Sequence, residues 1–249
     1  MITNKVPVDW KDLQTQVALI LEQSGLEVEV EKKIQSVRGV VEIDVYAKER
    51  IEKRDYLILV ECKHWKERIP QTIIHAFRTV INDVGANIGY IISIHGFQSG
   101  SYNVSSSTNL SLVTWETFLT LFEKVWLRNY FLKYIEDNFR EIIYYTEPLV
   151  PTWALSLRGT DKVTMKELRQ KNEWLGWLLL DLLNSFGIIV RDSEFLGLPL
   201  NPKYKSFCMP DELFKVGNYV DLIDCLQKYA TPALKEFGLL KEKALQKEQ

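Results

Sequence analysis

The fold is decided by two apolar stretches, Gly39-Val-Val-Glu-Ile-Asp44 and Tyr56-Leu-Ile-Leu-Val-Glu-Cys-Lys63. Both are rich in β-branched and aliphatic residues, which predicts two strands, and the polar residues 48–55 between them predict a hairpin connection. Because side chains alternate between the two faces of a strand, Glu61 and Lys63 share one face. Pairing of the two strands then places Asp44 about 5 Å away, which is one strand spacing.

The segments around this hairpin alternate between helix and strand patterns. Apolar residues at helical spacing predict a helix over residues 12–24, which Gly25 ends. Strands are predicted at 26–34, 38–47, 56–62, 88–94 and 110–113. Further helices are predicted at 70–84, with Pro70 in the first helical position, within 97–108, and after the capping residue Thr114. The order α-β-β-β-α-β-α-β predicts an α/β sandwich around a mixed sheet.

The second half of the chain has a mainly helical pattern. Residues 148–159 resemble a linker, and helices are predicted near 163–186, 218–229 and 232–246. We therefore expect two domains, residues 1–125 and residues 126–249. No motif in the second domain indicates a function, and we expect it to serve oligomerisation, recognition of a target or partner protein, or regulation.

The composition excludes several classes of protein. Of the 249 residues, 46% are hydrophobic and 26% are charged, as in soluble globular proteins, which excludes a disordered or collagen-like chain. A net charge of −2 excludes a uniformly basic surface for nucleic acid, so any DNA contact needs a local patch. Residues 32–68 offer such a patch, with ten cationic and seven acidic side chains.

Cellular location is addressed by the cysteines and by the apolar segments. Three widely spaced cysteines do not form a disulfide framework, which favours a reducing compartment. The first ten residues contain no signal-peptide pattern, and Asp181 and Asn184 interrupt the most apolar segment, residues 174–190. We therefore expect a cytoplasmic protein that has no membrane-spanning helix.

The two acids and the lysine of the central strands form a candidate catalytic site. Carboxylates of Asp44 and Glu61 at one strand spacing provide an oxygen-rich site for Mg²⁺, with Mn²⁺ as a substitute and the backbone carbonyl of Cys62 as a third ligand. A metal there would polarise a phosphoryl oxygen and lower the pKa of a bound water, which suits phosphodiester hydrolysis. Lys63 would position that water or neutralise developing negative charge.

A structural explanation of the same residues stays open. An internal ion pair between Lys63 and either Asp44 or Glu61 would also account for charges at the end of a buried strand, because unpaired charge is costly to bury. The same short pattern occurs at Asp9-Trp-Lys11 and at Glu31-Lys-Lys33, but only Glu61-Cys-Lys63 ends an apolar strand and follows a second apolar strand that carries Asp44.

Residues 13–118 resemble the Mrr-type restriction endonuclease domain of the PD-(D/E)XK nuclease superfamily. The resemblance rests on the order and spacing of the first helix and of four motifs: Val41-Glu-Ile-Asp44, Val60-Glu-Cys-Lys63, Gly96-Phe-Gln-Ser-Gly100 and Leu112-Val-Thr-Trp-Glu-Thr-Phe118. It implies a restriction-endonuclease-like αβββαβ-type sandwich with a mixed central sheet, followed here by the mainly helical C-terminal region.

The resemblance also assigns roles to individual residues. Asp44 and Glu61 match the metal-binding acids of the family, and Lys63 matches its catalytic lysine. Many members carry a glutamate on the first helix, where this chain has Gln14. Gln14 can orient a water or a phosphate but contributes no charge, so metal affinity is expected to be weaker. Glu42 shares the face of Asp44, although a solvated acid at the strand edge is the more ordinary explanation.

The implied function is a Mg²⁺-dependent DNA endonuclease that acts in defence against foreign DNA. Expected DNA contacts are Arg38, His64, Lys66 and Arg68, and a homodimer is expected because cutting both strands commonly uses two copies of such a domain. One alternative is a repair or junction-resolving nuclease on the same scaffold. A second is a catalytically silent module that binds nucleic acid or a partner protein, which Gln14 keeps open.

Overall fold

The structure is a computed structural model that describes residues 1–188, 197–200 and 208–246. It forms two compact units, one of residues 2–130 and one of residues 131–249 together with Met1. The division follows Tyr130, whereas the sequence placed a domain boundary after residue 125.

The first unit contains a five-stranded sheet and helices on both of its faces. Its elements in chain order are α1 (Trp10–Gln23), β1 (Glu27–Ser36), β2 (Gly39–Ile51), β3 (Arg54–Lys63), α2 (Gln71–Val84), β4 (Ile88–Ser93), α3 (Ser101–Ser105), β5 (Leu110–Thr114) and α4 (Trp115–Trp126). The sheet order is β1-β2-β3-β4-β5, with antiparallel pairing among the first three strands and parallel pairing among the last three. The mixed α/β sandwich predicted from the sequence is therefore confirmed.

The connection between β2 and β3 is shorter than predicted. Only Glu52 and Lys53 form the turn, both with positive φ (46° and 68°), as in the two-residue turns that match the twist of a hairpin. The polar residues before and after the turn belong to the strands, where Arg50 and Asp55 face each other and form an ion pair of 2.7 Å. The prediction of a connection over residues 48–55 was wrong, because polar residues also occur in strands that project into solvent.

The two faces of the sheet are covered by different helices. Ile74, Phe77 and Ile81 of α2 pack in one cluster with Leu59 of β3 and Ile91 of β4. The opposite face carries Val45, Ala47, Ile58 and Val60, which are also buried. This face is covered by α1 and α4. Tyr90 of β4 contacts Phe122 of α4, and Trp126 of α4 donates to Gln23 of α1 at 2.6 Å.

The helix ends follow their capping residues. Asp9 caps α1 by accepting from the Asp12 amide at 2.8 Å, and Thr114 caps α4 as predicted by accepting from the Thr117 amide at 3.2 Å. The sequence predicted Pro70 as the first helical residue of α2, but Pro70 is the N-cap that precedes this helix.

The second unit is helical. Its elements are α5 (Leu132–Thr146), a 3₁₀ turn (Thr152–Ser156), α6 (Gly159–Ile188), a second 3₁₀ turn (Asp211–Lys215) and α7 (Tyr219–Gln246), and a π-helical segment (Leu127–Phe131) leads from α4 into α5. Phe237 of α7 packs against Tyr145 of α5, with ring centroids 5.0 Å apart.

The prediction of two separate helices at 218–229 and 232–246 was wrong, because α7 runs through both segments as one helix. Pro232 lies inside this helix, where it removes one backbone hydrogen bond without ending it. Leu226, Ala230, Ala233 and Phe237 stay buried before and after the proline, so packing holds the helix together through it.

None of the described helices is long and apolar enough to cross a membrane. Residues 189 and 190, the end of the apolar segment 174–190, lie outside the described residues.

Candidate active site

The predicted site lies where β2 separates from β3. Their ladder ends at the pair Val45 and Val60, whereas β3 continues to Lys63 in parallel pairing with β4. On the other side of β2, the ladder with β1 skips the position at which Asp44 would face Glu31, and Glu31 has a positive φ of 54°. Asp44 therefore lies where β2 separates from β3 and where the ladder between β2 and β1 is interrupted by one pair.

The Asp44 carboxylate takes over one of the missing ladder bonds. Its Oδ2 accepts a hydrogen bond from the Cys62 backbone amide at 2.7 Å. This bond joins β2 to β3 beyond the end of their ladder and holds the half-buried carboxylate beside Glu61 and Lys63.

Glu61 and Lys63 lie on one face of β3, as strand alternation predicted, and their side chains form an ion pair. Burial raises the pKa of Glu61, and the nearby charge of Asp44 raises it further, while Lys63 opposes both effects. Asp44 bonds to the backbone amide of Cys62, the residue that follows Glu61, so the two acids lie in the same part of the sheet. The ion pair left open by the sequence is thus present between Lys63 and Glu61, whereas Asp44 bonds to the backbone instead.

Gln14 lies on the first turns of α1 and is only 2% exposed. Its Oε1 is buried and meets no hydrogen-bond donor among the described residues, and Gln14 forms no described hydrogen bond to Asp44, Glu61 or Lys63. A buried carbonyl oxygen without a donor has an open lone pair for a water or a cation.

Two contacts place the start of α1 at the same edge of the sheet as the acids. Lys11, in the first turn of α1, forms an ion pair of 2.5 Å with Glu31. The ring Nε2 of His64, which follows Lys63, is 3.0 Å from the Pro7 carbonyl oxygen. Both contacts join residues 20 or more positions apart, and no pattern in the sequence indicated either of them.

The donor set fits a hard divalent cation. Mg²⁺ binds through one or two carboxylates and keeps several waters, and Asp44 and Glu61 supply two carboxylates. Among the residues that the structure describes, no group of three or more His, Cys, Asp or Glu side chains is arranged to hold a metal. A cation held by Asp44 and Glu61 would therefore need carbonyl groups or water as its further ligands. Burial and the two neighbouring acids raise the pKa of the Cys62 thiol well above its usual value, which keeps this thiol neutral.

The predicted DNA contacts lie in different surroundings. Arg38, in the β1–β2 turn, forms an ion pair of 3.1 Å with Asp83 of α2. His64 is half-buried and bonded to Pro7, as described above. Lys66 and Arg68 are exposed in the loop after β3, and neither forms an ion pair with a carboxylate in the described part of the chain.

Most cations of residues 32–68 are neutralised within the protein. Ion pairs join Lys32 to Glu29, Lys33 to Glu42, Arg50 to Asp55 and Arg54 to Glu52, in addition to those of Arg38 and Lys63. Glu42 is therefore an exposed partner of Lys33. Among the described residues, Lys48, Lys53, Lys66 and Arg68 form no ion pair with a carboxylate, and of these Lys66 and Arg68 lie in the loop after β3.

A family model matches most of the first unit. Residues 7–122 match the family model of the Mrr catalytic domain, which is described as "Restriction endonuclease". This segment is similar to the Mrr-type restriction endonuclease domain. Within the Mrr-like domain, Asp44, Glu61 and Lys63 lie at the separation of β2 and β3.

Two further comparisons add nothing to the function. No curated protein matches the chain. A crystal structure titled "Crystal Structure of Protein of Unknown Function AF1548" aligns with 87% of this chain and 99% of its own at 14% identity. The TM-score of this alignment is 0.39.

Proposed function

We propose that the protein is a metal-dependent DNA endonuclease that hydrolyses phosphodiester bonds. The observation that carries this proposal is the placement of Asp44, Glu61 and Lys63 together at the point where β2 leaves β3, inside a Mrr-like nuclease domain. Two carboxylates and a lysine beside one another suit the binding of Mg²⁺ or Mn²⁺ and the stabilisation of a phosphoryl group.

Each residue has a proposed role. Asp44 and Glu61 hold the metal with the backbone carbonyl of Cys62, and the bound ion supplies Lewis-acid polarisation of the phosphate and a more acidic water. Lys63 exchanges its partner Glu61 for the negative charge that develops on the phosphate. The open Oε1 of Gln14 orients a water at the same edge.

The DNA backbone is proposed to run along the loop after β3. Lys66 and Arg68 are exposed there without carboxylate partners among the described residues, so they can neutralise phosphates without breaking an ion pair. Arg38 would first have to leave Asp83. His64 would contact a phosphate only through the ring nitrogen that does not bond Pro7.

Plasmid cleavage tests the proposal. The full chain is incubated with supercoiled plasmid and Mg²⁺ or Mn²⁺, beside Asp44→Asn and the surface control Lys235→Ala. We expect nicked or linear DNA with the wild type and the control, and intact plasmid with Asp44→Asn or with EDTA. Cleavage that survives Asp44→Asn would show that the activity comes from elsewhere.

One alternative has specific support. The closed Glu61–Lys63 ion pair and the neutral Gln14 are also what a catalytically silent binding domain would contain. Such a domain would bind DNA or a partner protein and leave the plasmid intact under every metal condition. A junction-resolving nuclease is separated from an endonuclease for linear DNA by comparing a four-way junction with a matched duplex.

The wider biological role is part of the same proposal. A role in defence against foreign DNA, a cytoplasmic location and a homodimer follow from the family resemblance and from the need to cut two strands. The helical unit is proposed to serve oligomerisation, recognition of a target or partner protein, or regulation.

A further inference from the structure

An exposed apolar surface lies beside the candidate active site. We call it the aromatic rim and define it as Val8, Trp10 and Trp65. Their exposed fractions are 75%, 55% and 42%, although tryptophan is usually mostly buried. The hydrogen bond between His64 and the Pro7 carbonyl joins the two chain segments that carry these residues. The rim residues thus belong to two segments, the start of α1 and the loop after β3, that this hydrogen bond joins.

The rim is connected to the catalytic residues. The Lys63 ammonium group lies 5.9 Å from the centre of the Trp65 ring, and it is the same group that pairs with Glu61. Trp65 is therefore the neighbour of the position at which a scissile phosphate would meet Lys63. Lys66 and Arg68 follow in the chain, with the exposed Glu67 between them, so two cations against one acid lie in the loop that carries the exposed indole.

Exposed aromatic rings beside unpaired cations match the chemistry of unpaired nucleic-acid bases. In a duplex the flat faces of the bases are stacked on each other and are not open to an indole. In a single strand or at a fork the faces are exposed, and stacking on an aromatic ring adds to the attraction of the backbone for cations. The backbone of nucleic acid carries a phosphate at every nucleotide, so Lys66 and Arg68 favour nucleic acid as the occupant.

We propose that Trp65, supported by Trp10, stacks on an unpaired base next to the scissile phosphate, so that the domain prefers single-stranded or forked DNA to blunt duplex. This inference rests on the proposed nuclease function and specifies its substrate class.

Binding in EDTA tests the preference without cleavage. Fluorescence anisotropy compares a labelled single strand, a fork and a blunt duplex of equal length, with the wild type, Trp65→Ala, Trp65→Phe and the control Trp177→Ala. Trp177 lies on α6 and is 46% exposed, which matches Trp65. We expect Trp65→Ala to weaken binding of the single strand and the fork by roughly 5- to 150-fold, the usual effect of losing one stacking ring. Blunt duplex should change by less than about 2-fold, because its binding depends on phosphate contacts. Trp65→Phe should restore most of the loss.

Several results would overturn the inference. These are equal losses for single strand and duplex, no loss with Trp65→Ala, a wild type that prefers blunt duplex, or no binding of any of the three DNAs. A change of sedimentation on Trp65→Ala without a change in DNA preference would show that a second copy of the chain covers the rim.

The proposed nuclease function is judged separately, by plasmid cleavage in Mg²⁺. A selective effect of Trp65 on unpaired DNA without any cleavage would support the binding preference and refute catalysis. Cleavage without a selective effect of Trp65 would refute the preference alone.

Discussion

Substitutions of Asp44 can separate the contribution of its carboxylate to stability from its proposed role in catalysis. In the folded protein, Asp44 Oδ2 accepts from the Cys62 amide at 2.7 Å, and this bond holds β2 to β3 beyond the end of their ladder. Asp44→Ala leaves the amide of a buried residue without its partner. Asp44→Asn keeps an acceptor of the same shape but removes the charge.

The expected magnitude follows from these contacts. A hydrogen bond to a charged group contributes about 1.5–3 kcal/mol, and removal of Asp44 also relieves its repulsion of Glu61. We therefore expect Asp44→Ala to lower the free energy of unfolding by about 1–2 kcal/mol. Asp44→Asn should lie within about 0.5 kcal/mol of the wild type, because a weaker neutral bond is offset by the same relief of repulsion.

Thermal unfolding of both variants, without metal, measures this difference. In a chain of this length each 1 kcal/mol corresponds to a shift of roughly 2–4 °C in the melting temperature. Both variants should fail to cut plasmid, so stability distinguishes them where activity does not. Equal melting temperatures for Asp44→Ala and Asp44→Asn would refute the role of the carboxylate–amide bond.

Two further predictions concern pH and helix α7. Burial and the charge of Asp44 raise the pKa of Glu61, and a metal binds only after the proton has left, so the rise in melting temperature that Mg²⁺ produces should grow as the pH rises through that pKa. Without metal the trend is opposite: the raised pKa means that the folded state holds the proton more tightly than the unfolded state, so stability falls as pH rises through that pKa. Glu61→Gln should remove both trends, and a Mg²⁺ effect that is the same at every pH would contradict the assignment. Pro232→Ala should stabilise the helical unit by about 2 kcal/mol, the ~3 kcal/mol penalty of proline inside a helix less the ~1 kcal/mol that proline gains by restricting the unfolded chain. Urea unfolding followed by helical circular dichroism measures the change, and a destabilised variant would show that α7 requires the proline.

Much of the first unit was predictable because its helices and strands show characteristic patterns of residue type over a few neighbouring positions. The apolar spacing of α1 and α2, the aliphatic runs of β3 and β4, and the cap at Thr114 are all properties of a few neighbouring residues. Strand alternation alone predicted that Glu61 and Lys63 share a face, and their ion pair confirms it.

Predictions from local patterns were wrong where contacts between residues distant in sequence determine the secondary structure. Polar residues near the β2–β3 turn resembled a loop, yet cross-strand pairing extends the hairpin to Ile51 and Arg54. Pro232 resembled a break between two helices, yet buried residues on both sides keep α7 continuous.

The amino-acid sequence by itself determined the order of helices and strands, the mixed α/β class and the three side chains of the candidate site. Such features depend on periodicity and on residue type, which act over a few positions. Tertiary structure alone decided that Asp44 bonds to the Cys62 amide, that Lys63 pairs with Glu61, and that His64 bonds to the Pro7 carbonyl. Each of these contacts depends on which partners are near in three dimensions. Those partners come near one another only after the strands have paired and α1 has packed on the sheet.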